Sequence, residues 1–272
     1  MLLNKIETFN CQLSIVNCQF DMKVIAIIPA RYASTRFPAK PLVLLEGKPI
    51  IQHVYERVAE CVEMTYVATD DERIYNTVKA FGGNVVMTSS EHRCGTDRCC
   101  EALEKIGYDA DIVINIQGDE PFTHREHIEL LKKGFESKET DIVTLAVPFS
   151  EEGGLEALEN PNSPKVVIDP SGHALYFSRS VIPYIRGVER SEWLKHHTFY
   201  KHLGMYAFRT NVLKEITSLP QTPLEKLEML EQLRWLESGY KIGMGITNIE
   251  TVGIDTPEDL ERAERYIKDR KL

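Results

Sequence analysis

A short apolar run that feeds directly into a loop of positive charge constrains this chain more than any other feature. The stretch from Met22 to Leu45 reads MKVIAIIPARYASTRFPAKPLVLL. Val24 to Ile28 is too short for a buried helix and is rich in β-branched residues, so it reads as a buried parallel strand, which Pro29 stops. The loop that follows carries Arg31, Arg36 and Lys40, with Ser34 and Thr35 between them. No acid occurs from Met22 to Leu45, although the whole chain has a formal net charge of −9. Open α/β sheets bind ligands beyond the carboxyl ends of their strands, which is where this loop falls. Guanidinium forks match phosphate oxygens in pairs and an ammonium adds a compact charge, so the cluster suits a polyphosphate. Ordinary solvated bases are the plainer reading of the same three side chains.

The rhythm that follows is strand, helix, strand, helix, strand, as in a parallel sheet with crossovers. Glu46-Gly47-Lys48-Pro49 reads as a turn, with a helix from about Pro49 to Cys61. Thr65 to Ala68 is a strand, and Asp71 can cap a helix that ends at Gly82-Gly83. Asn84 to Met87 is the third strand. In the loop EHRCGTDR (91–98), Gly95 allows close backbone approach to a ligand, and Thr96 can cap a helix running to about Ile106, whose N-terminus favours anions. Arg98 has the wrong sign for that helix's dipole, which suggests a partner.

Asp111 to Ile116 gives another buried strand, and it ends in QGDEP (117–121). Asp119, just past the end of a central strand, can hold a hard cation such as Mg²⁺, although an isolated Gly-Asp is also a common turn. His124 to Ser137 reads as a helix, Ile142 to Val147 as a strand, and 151–164 as an acidic exposed loop. From Val166 the pattern becomes mixed. Val166–Ile168 and Ala174–Phe177 read as a hairpin, 182–200 as a polar, mobile loop, and His202 to Phe208 as a strand. A single helix is expected from Thr222 to Ser238, with Leu224, Leu227, Glu231 and Trp235 on one stripe. A carboxylate in such a stripe needs a partner, either a structural arginine or the hydroxyls of a sugar. Ile242 to Ile246 is a further strand. Thr256 caps a final helix over 257–270, with Glu258 and Asp259 in its first turn.

Composition narrows the classes. The chain has 272 residues, 43% hydrophobic and 27% charged, the balance of an ordinary globular protein. Its acidic charge argues against general nucleic-acid binding, and no apolar run approaches the roughly 20 residues needed to span a bilayer. The lack of GxGxxG after the first strand, and of GxxxxGK[ST] anywhere, argues against a Rossmann dehydrogenase and a P-loop kinase. The six cysteines (Cys11, Cys18, Cys61, Cys94, Cys99 and Cys100) form no disulfide framework. His92, Cys94, Cys99 and Cys100 lie close together but lack a CxxC pair or second half-site, so reduced thiols are expected in preference to zinc.

Residues 1–21 show no periodicity and make a poor signal peptide. They read as a dispensable extension, with translation normally starting at Met22. Deleting them is expected to leave turnover and melting temperature nearly unchanged, which steady-state kinetics and a thermal melt would check.

The pattern IPARYASTRFPAKPL, together with QGDEP, YFSR, KHLG, EMLEQLR and GIDTPEDL, resembles the 3-deoxy-manno-octulosonate (Kdo) cytidylyltransferases, or CMP-Kdo synthetases, within the wider sugar nucleotidyltransferases. The resemblance spans about Met22 to Lys271. It implies an α/β, Rossmann-like fold: a mixed, mainly parallel central sheet with helices on both faces and a smaller mixed region for sugar binding and dimerisation. Residues 22–272 would form one domain, with 22–148 mainly for nucleotide and 149–272 mainly for sugar and the dimer contact. The reaction implied is CTP plus Kdo to CMP-Kdo plus pyrophosphate, for lipopolysaccharide biosynthesis, in a cytoplasmic homodimer using Mg²⁺, with no nucleic-acid or membrane partner. The alternatives are a cytidylyltransferase for another acid sugar, such as sialic acid or amino-substituted Kdo, and a non-catalytic nucleotide-binding regulator. The resemblance implies Lys40, Arg31 and Arg36 as catalytic cations. It implies Pro29, Ala30, Gly95, Thr96, Arg98, Gln117 and Asp119 alongside them around the nucleotide. Asp119 and Asp255 would ligate the metal. Arg179 would meet the sugar carboxylate, with His202, Tyr206, Glu231 and Gln232 on its hydroxyls. Cys94 stands where the family carries serine, and Ala39 where it usually carries glycine.

Overall fold

The first strand, β1 (Val24–Ala30), lies inside the sheet, and its alternate residues feed two different cores. Ile25 and Ile27 face one side, while Ala26, Ile28 and Ala30 face the other. All but Ala30 are fully buried, and Ala30 is 4% exposed. Each fully buried isoleucine contributes on the order of 1.5–3 kcal/mol of hydrophobic stabilisation. The structure is a computed structural model that describes residues 22–33, 37–251, 253–254 and 256–270. The expected extension (1–21), Arg36 and Asp255 lie outside the described residues.

After β1 come the hairpin β2 (Leu44–Leu45) and β3 (Lys48–Pro49), then α1 (Ile50–Ala59), β4 (Met64–Thr69), α2 (Glu72–Ala80), β5 (Val85–Met87), α3 (Gly95–Ile106), β6 (Ile112–Asn115), α4 (Arg125–Lys133) and β7 (Ile142–Pro148). The second half adds α5 (Gly154–Glu159), β8 (Lys165–Ile168), β9 (Ala174–Ser178), α6 (Trp193–His196), β10 (Tyr200–Arg209), α7 (Thr210–Ile216), α8 (Pro223–Glu228), α9 (Gln232–Glu237), β11 (Ile242–Ile246) and α10 (Pro257–Arg270). The main sheet runs β11-β7-β10-β6-β1-β4-β5, with the β8–β9 hairpin attached through β10. Neighbouring strands are parallel except where β10 meets β6, β7 and β8 and where β8 meets β9. Helices α1, α2, α4 and α10 cover one face, and α3, α7 and α9 cover the other. This is the mixed, mainly parallel sheet between two helical layers that the sequence predicts. Among the described residues no helix is long and apolar enough to cross a membrane.

The helices form where apolar spacing and caps agree. In α1, Ile50, Val54 and Val58 recur at four-residue intervals and are all buried. In α2, the Asp71 carboxylate accepts the Arg73 N–H, the cap expected of it. At α10, Thr256 and Asp259 exchange hydrogen bonds of 3.0 and 3.2 Å, closing a capping box.

Three expectations need correction. The helix over 222–238 is two helices, broken at Met229, whose φ is +51°. Tertiary bonds impose the break: the Glu228 carboxylate accepts from the Ser178 hydroxyl at 2.6 Å and the Arg179 N–H at 2.9 Å, and its carbonyl accepts from Arg179 Nε at 2.7 Å. The predicted stripe therefore divides, with Leu227 80% exposed and Trp235 fully buried. Segments 151–164 and 182–200 are not plain loops, because Leu158 of α5, Trp193 of α6 and Phe199 pack into a small third core. Finally, the cap of α3 is Cys94, not Thr96; Cys94 Sγ accepts the Asp97 N–H at 3.5 Å and Thr96 lies inside the first turn.

Candidate active site

Three loops meet at the carboxyl ends of β1 and β6. Pro29 sits at the centre, and two glycines make the approach possible. A Cβ on Gly118 would stand 3.0 Å from the Pro29 carbonyl oxygen, and one on Gly95 would stand 3.1 Å from the Pro29 ring. The loops enclose a cavity of about 250 Å³. Pro29, Ala30, Arg31 and Lys40 line it from the first loop, Gln117 and Asp119 from the loop after β6, and Gly95 and Arg98 from the start of α3. Of the expected nucleotide residues, Thr96 does not line it, and Arg36 lies outside the described residues.

The first loop is held at both ends. The Arg73 guanidinium stacks 3.3 Å from the centre of the Tyr32 ring, and the Ala39 N–H donates to the Tyr32 carbonyl at 3.1 Å. Ala39 has φ +59°, in the left-handed region. An L-residue there costs about 1–2 kcal/mol relative to the right-handed conformation, a strain that glycine does not carry. Lys40 follows, its side chain 12% exposed, and its ammonium bonds directly to the Asp119 carboxylate, which is 28% exposed. The Asp119 carbonyl accepts the Ile254 N–H at 3.0 Å, tying the chain just before position 255 to the same corner.

Arg98 is 3% exposed. Its guanidinium bonds to Asp70 at 3.0 Å and to the Thr88 hydroxyl at 2.6 Å. The partner that its position at a helix N-terminus called for is thus a carboxylate of the protein itself.

A second cavity, of about 370 Å³, adjoins the first. His92, Arg93 and Cys94 line both. Glu231 lines the second, where its carboxylate accepts from Cys94 Sγ at 3.1 Å, Thr96 Oγ1 at 3.0 Å and Arg234 Nη2 at 2.7 Å. The structural arginine and the cavity-facing carboxylate are therefore features of one residue. Burial raises the Glu231 carboxyl above the usual carboxylate range despite these donors. Burial likewise pushes the Cys94 thiol up, helped by the Glu231 charge, so the group that caps α3 is a neutral thiol. On the shared wall, His92 bonds to Glu101. Burial works against ionisation of Glu101, but donors from Lys105, Ser89 and His92 outweigh it and bring its carboxyl to about 2.

The remaining sugar candidates stand one layer behind. His202 is 8% exposed and Gln232 3%. His202 Nε2 lies 2.9 Å from Thr144 Oγ1, and Nδ1 lies 3.5 Å from the Gln232 amide nitrogen. Burial pushes the imidazole down to about 3, so it is neutral and shares its ring nitrogens between these two partners. The Tyr206 ring packs edge-on against Trp235 at 5.0 Å, and burial raises its hydroxyl. Tyr206 pairs across the sheet with Asn115, two residues before Gln117. Arg179 lines neither cavity. Its guanidinium donates to the carbonyls of Glu228, Pro161 and Met229 at 2.7, 2.8 and 3.3 Å, so it holds the break between α8 and α9.

The cytidylyltransferase family profile matches residues 25–242. A 3-deoxy-manno-octulosonate cytidylyltransferase of Phocaeicola vulgatus is 62% identical over 250 residues, covering 92% of this chain and 99% of that one. The chain belongs to the 3-deoxy-manno-octulosonate cytidylyltransferase family. A second such cytidylyltransferase, from Bacteroides thetaiotaomicron, is 60% identical over 249 residues, covering 92% of this chain and 100% of that one. The solved structure of a CMP:2-keto-3-deoxy-manno-octonic acid synthetase complexed with CTP superposes with a TM-score of 0.83 at 40% identity, over 91% of this chain and 99% of that one. A cytidylyltransferase from Leptospira borgpetersenii, 17% identical with a TM-score of 0.58 over 91% of this chain and 87% of that one, shares the fold.

Sequence reasoning missed His92, Arg93 and Arg234 as residues lining the cavities of this cytidylyltransferase. The available signal was position: His92 and Arg93 immediately precede the cap of a helix already expected to face a ligand. Arg234 lies three residues after Glu231, within reach on one helical face.

Proposed function

We propose that this chain joins CTP to Kdo, forming CMP-Kdo and releasing pyrophosphate. The observation that carries the reading is the meeting of Lys40 and Asp119 in the first cavity, next to a second cavity walled by Glu231. One cavity carries cations and a metal-type carboxylate for a triphosphate, and the other carries hydrogen-bonding groups for a polyhydroxy acid. The names of the relatives and the CTP-bound state of the similar solved structure support the same substrates.

The reaction requires the anomeric C2 hydroxyl of the sugar to attack the α-phosphorus. The P–O bond to pyrophosphate breaks and the hydroxyl proton is lost. The chain's contribution is to hold two anions in line and offset the charge that grows on the phosphates. Arg31, Arg36 and Lys40 take the phosphates from one side, with Pro29, Ala30, Gly95 and Gln117 framing the nucleoside. Glu231 accepts from sugar hydroxyls, and Gln232, His202 and Tyr206 back it. Asp119 has the hard oxygen donors and the cavity position that suit Mg²⁺, and with Asp255 it would hold the ion. Bound there, Mg²⁺ would neutralise phosphate charge and polarise an oxygen ligand. We place the enzyme in the cytoplasm as a homodimer.

Pyrophosphate release tests the reading directly. With CTP and Mg²⁺, turnover is expected with Kdo and is expected to be at least about tenfold slower with sialic acid or amino-substituted Kdo. Preference for one of those sugars would move the assignment to that substrate, and nucleotide binding without turnover of any sugar acid would favour the regulator.

A further inference from the structure

We infer that Thr144, which lines neither cavity, sets the direction of the hydrogen bonds at the sugar end of the site by fixing which nitrogen of His202 carries the proton. Thr144 is thus a positioning residue, acting through His202 and Gln232. This rests on the proposed reading that Glu231 and Gln232 meet the hydroxyls of a sugar acid.

Thr144 lies on β7 and is fully buried. Opposite it, β10 breaks register: Leu203 pairs with Leu145 and Tyr206 with Thr144, so Gly204 and Met205 are extra residues on β10. Such a bulge takes backbone groups out of the strand ladder, and they need other partners. The Thr144 hydroxyl supplies one, with its oxygen 2.7 Å from the Met205 carbonyl and 3.1 Å from the Leu203 carbonyl. Its third neighbour is His202 Nε2, at 2.9 Å. A hydroxyl has one proton and two lone pairs, whereas a carbonyl only accepts. The Thr144 proton therefore goes to the carbonyls, and Nε2 faces a lone pair. Nε2 must then carry the ring proton and donate it. Burial pushes the imidazole down to about 3, so the ring holds a single N–H and Nδ1 is left as an acceptor.

The Gln232 amide nitrogen stands 3.5 Å from Nδ1, so the amide turns its NH₂ to the ring and its oxygen away. Among the described residues that oxygen takes no hydrogen bond. The Phe177 and Tyr206 rings, 4.9 and 5.5 Å away, confine the imidazole. Every bond in the chain from Gln232 through His202 and Thr144 to the β10 carbonyls thus runs one way. At its outer end Gln232 offers an acceptor on the residue after the Glu231 carboxylate, and two acceptors suit a ligand that donates from hydroxyls. Without the Thr144 hydroxyl, the ring proton is free to move to Nδ1. The Gln232 oxygen would then turn to the ring and N–H groups would face the sugar.

The test compares wild type, Thr144→Val and Thr144→Ser as full chains. Nitrogen-15 NMR of the histidine rings, without substrates and with His202 assigned through His202→Asn, reads the tautomer. Wild type and Thr144→Ser should show protonated Nε2, and Thr144→Val should gain protonated Nδ1. Steady-state kinetics with CTP, Mg²⁺ and Kdo should show the Kdo KM rising about tenfold in Thr144→Val, with the CTP KM within about twofold. Thr144→Ser, which regains the hydroxyl, should bring the Kdo KM back to within about threefold of wild type even where loss of the methyl lowers the melting temperature. Protonated Nδ1 in wild type overturns the inference, and that reading needs no variant to fold. So do an unchanged Kdo KM in Thr144→Val and a rise that Thr144→Ser does not reverse. Wild type that turns over only another sugar acid changes the proposed substrate alone, because the tautomer is read without substrate and the KM comparison is then made with that acid.

Discussion

Lys40→Ala is expected to lower kcat by roughly 10²–10³-fold while the protein stays folded. The Lys40 ammonium is mostly buried against Asp119, in a cavity where water screens charge weakly. On the proposed reading, removing it takes away the positive charge nearest the phosphates as negative charge grows there. Stability should change little, because the Asp119 carboxylate keeps partial contact with water and can be hydrated once its partner is gone. Lys40→Arg keeps the charge but changes its shape, and should fall between wild type and alanine. Pyrophosphate release under saturating substrates, with a parallel thermal melt, reads both effects. An alanine variant that turns over within about threefold of wild type would remove Lys40 from the chemistry.

Asp119→Asn should have an effect of opposite sign on two observables. Turnover is expected to fall on the order of 10³-fold, with the Mg²⁺ concentration at half-maximal rate rising more than about tenfold, as one of the proposed metal carboxylates is lost. CTP binding without metal, measured by calorimetry, should stay the same or tighten. The substitution removes a negative charge from a site for a polyanion and frees Lys40 to meet the phosphates. A variant that merely unfolds would lose both signals together, so the divergence is diagnostic. An unchanged Mg²⁺ titration would take Asp119 out of the metal site.

The parts legible in the sequence were those governed by neighbours in the chain. β1 and its loop are readable because five apolar residues, a proline and then three bases within positions 31–40 come in that order along the chain. The strand ending in QGDEP and the capping box of α10 are local in the same sense. Arg98 is different: its partner Asp70 lies on another loop, and nothing between the two positions shows that they meet. Met229 breaks a segment with good helical spacing because Ser178 and Arg179, some fifty positions earlier, take hold of Glu228. The small core of Leu158, Trp193 and Phe199 was hidden in stretches whose overall polarity suggested loop. Cys94 takes two roles that its place in the sequence did not show, since its sulfur both caps α3 and donates to Glu231. In Ala39 the structure adds a cause to an oddity of sequence, a backbone conformation that glycine adopts without strain.

The position of β10 between β6 and β7 has a consequence for how the protein comes into being. A nascent chain emerging from the ribosome exposes β6 and β7 well before the strand that must fill the gap between them is made. At about 5–20 residues per second, that is a wait of some seconds with two bare hydrogen-bonding edges, the state most prone to adhere to a neighbour. Truncation after Pro148 would make that interval permanent. Expressed as separate modules, the two halves should therefore aggregate, and chaperone demand during synthesis should peak in this window.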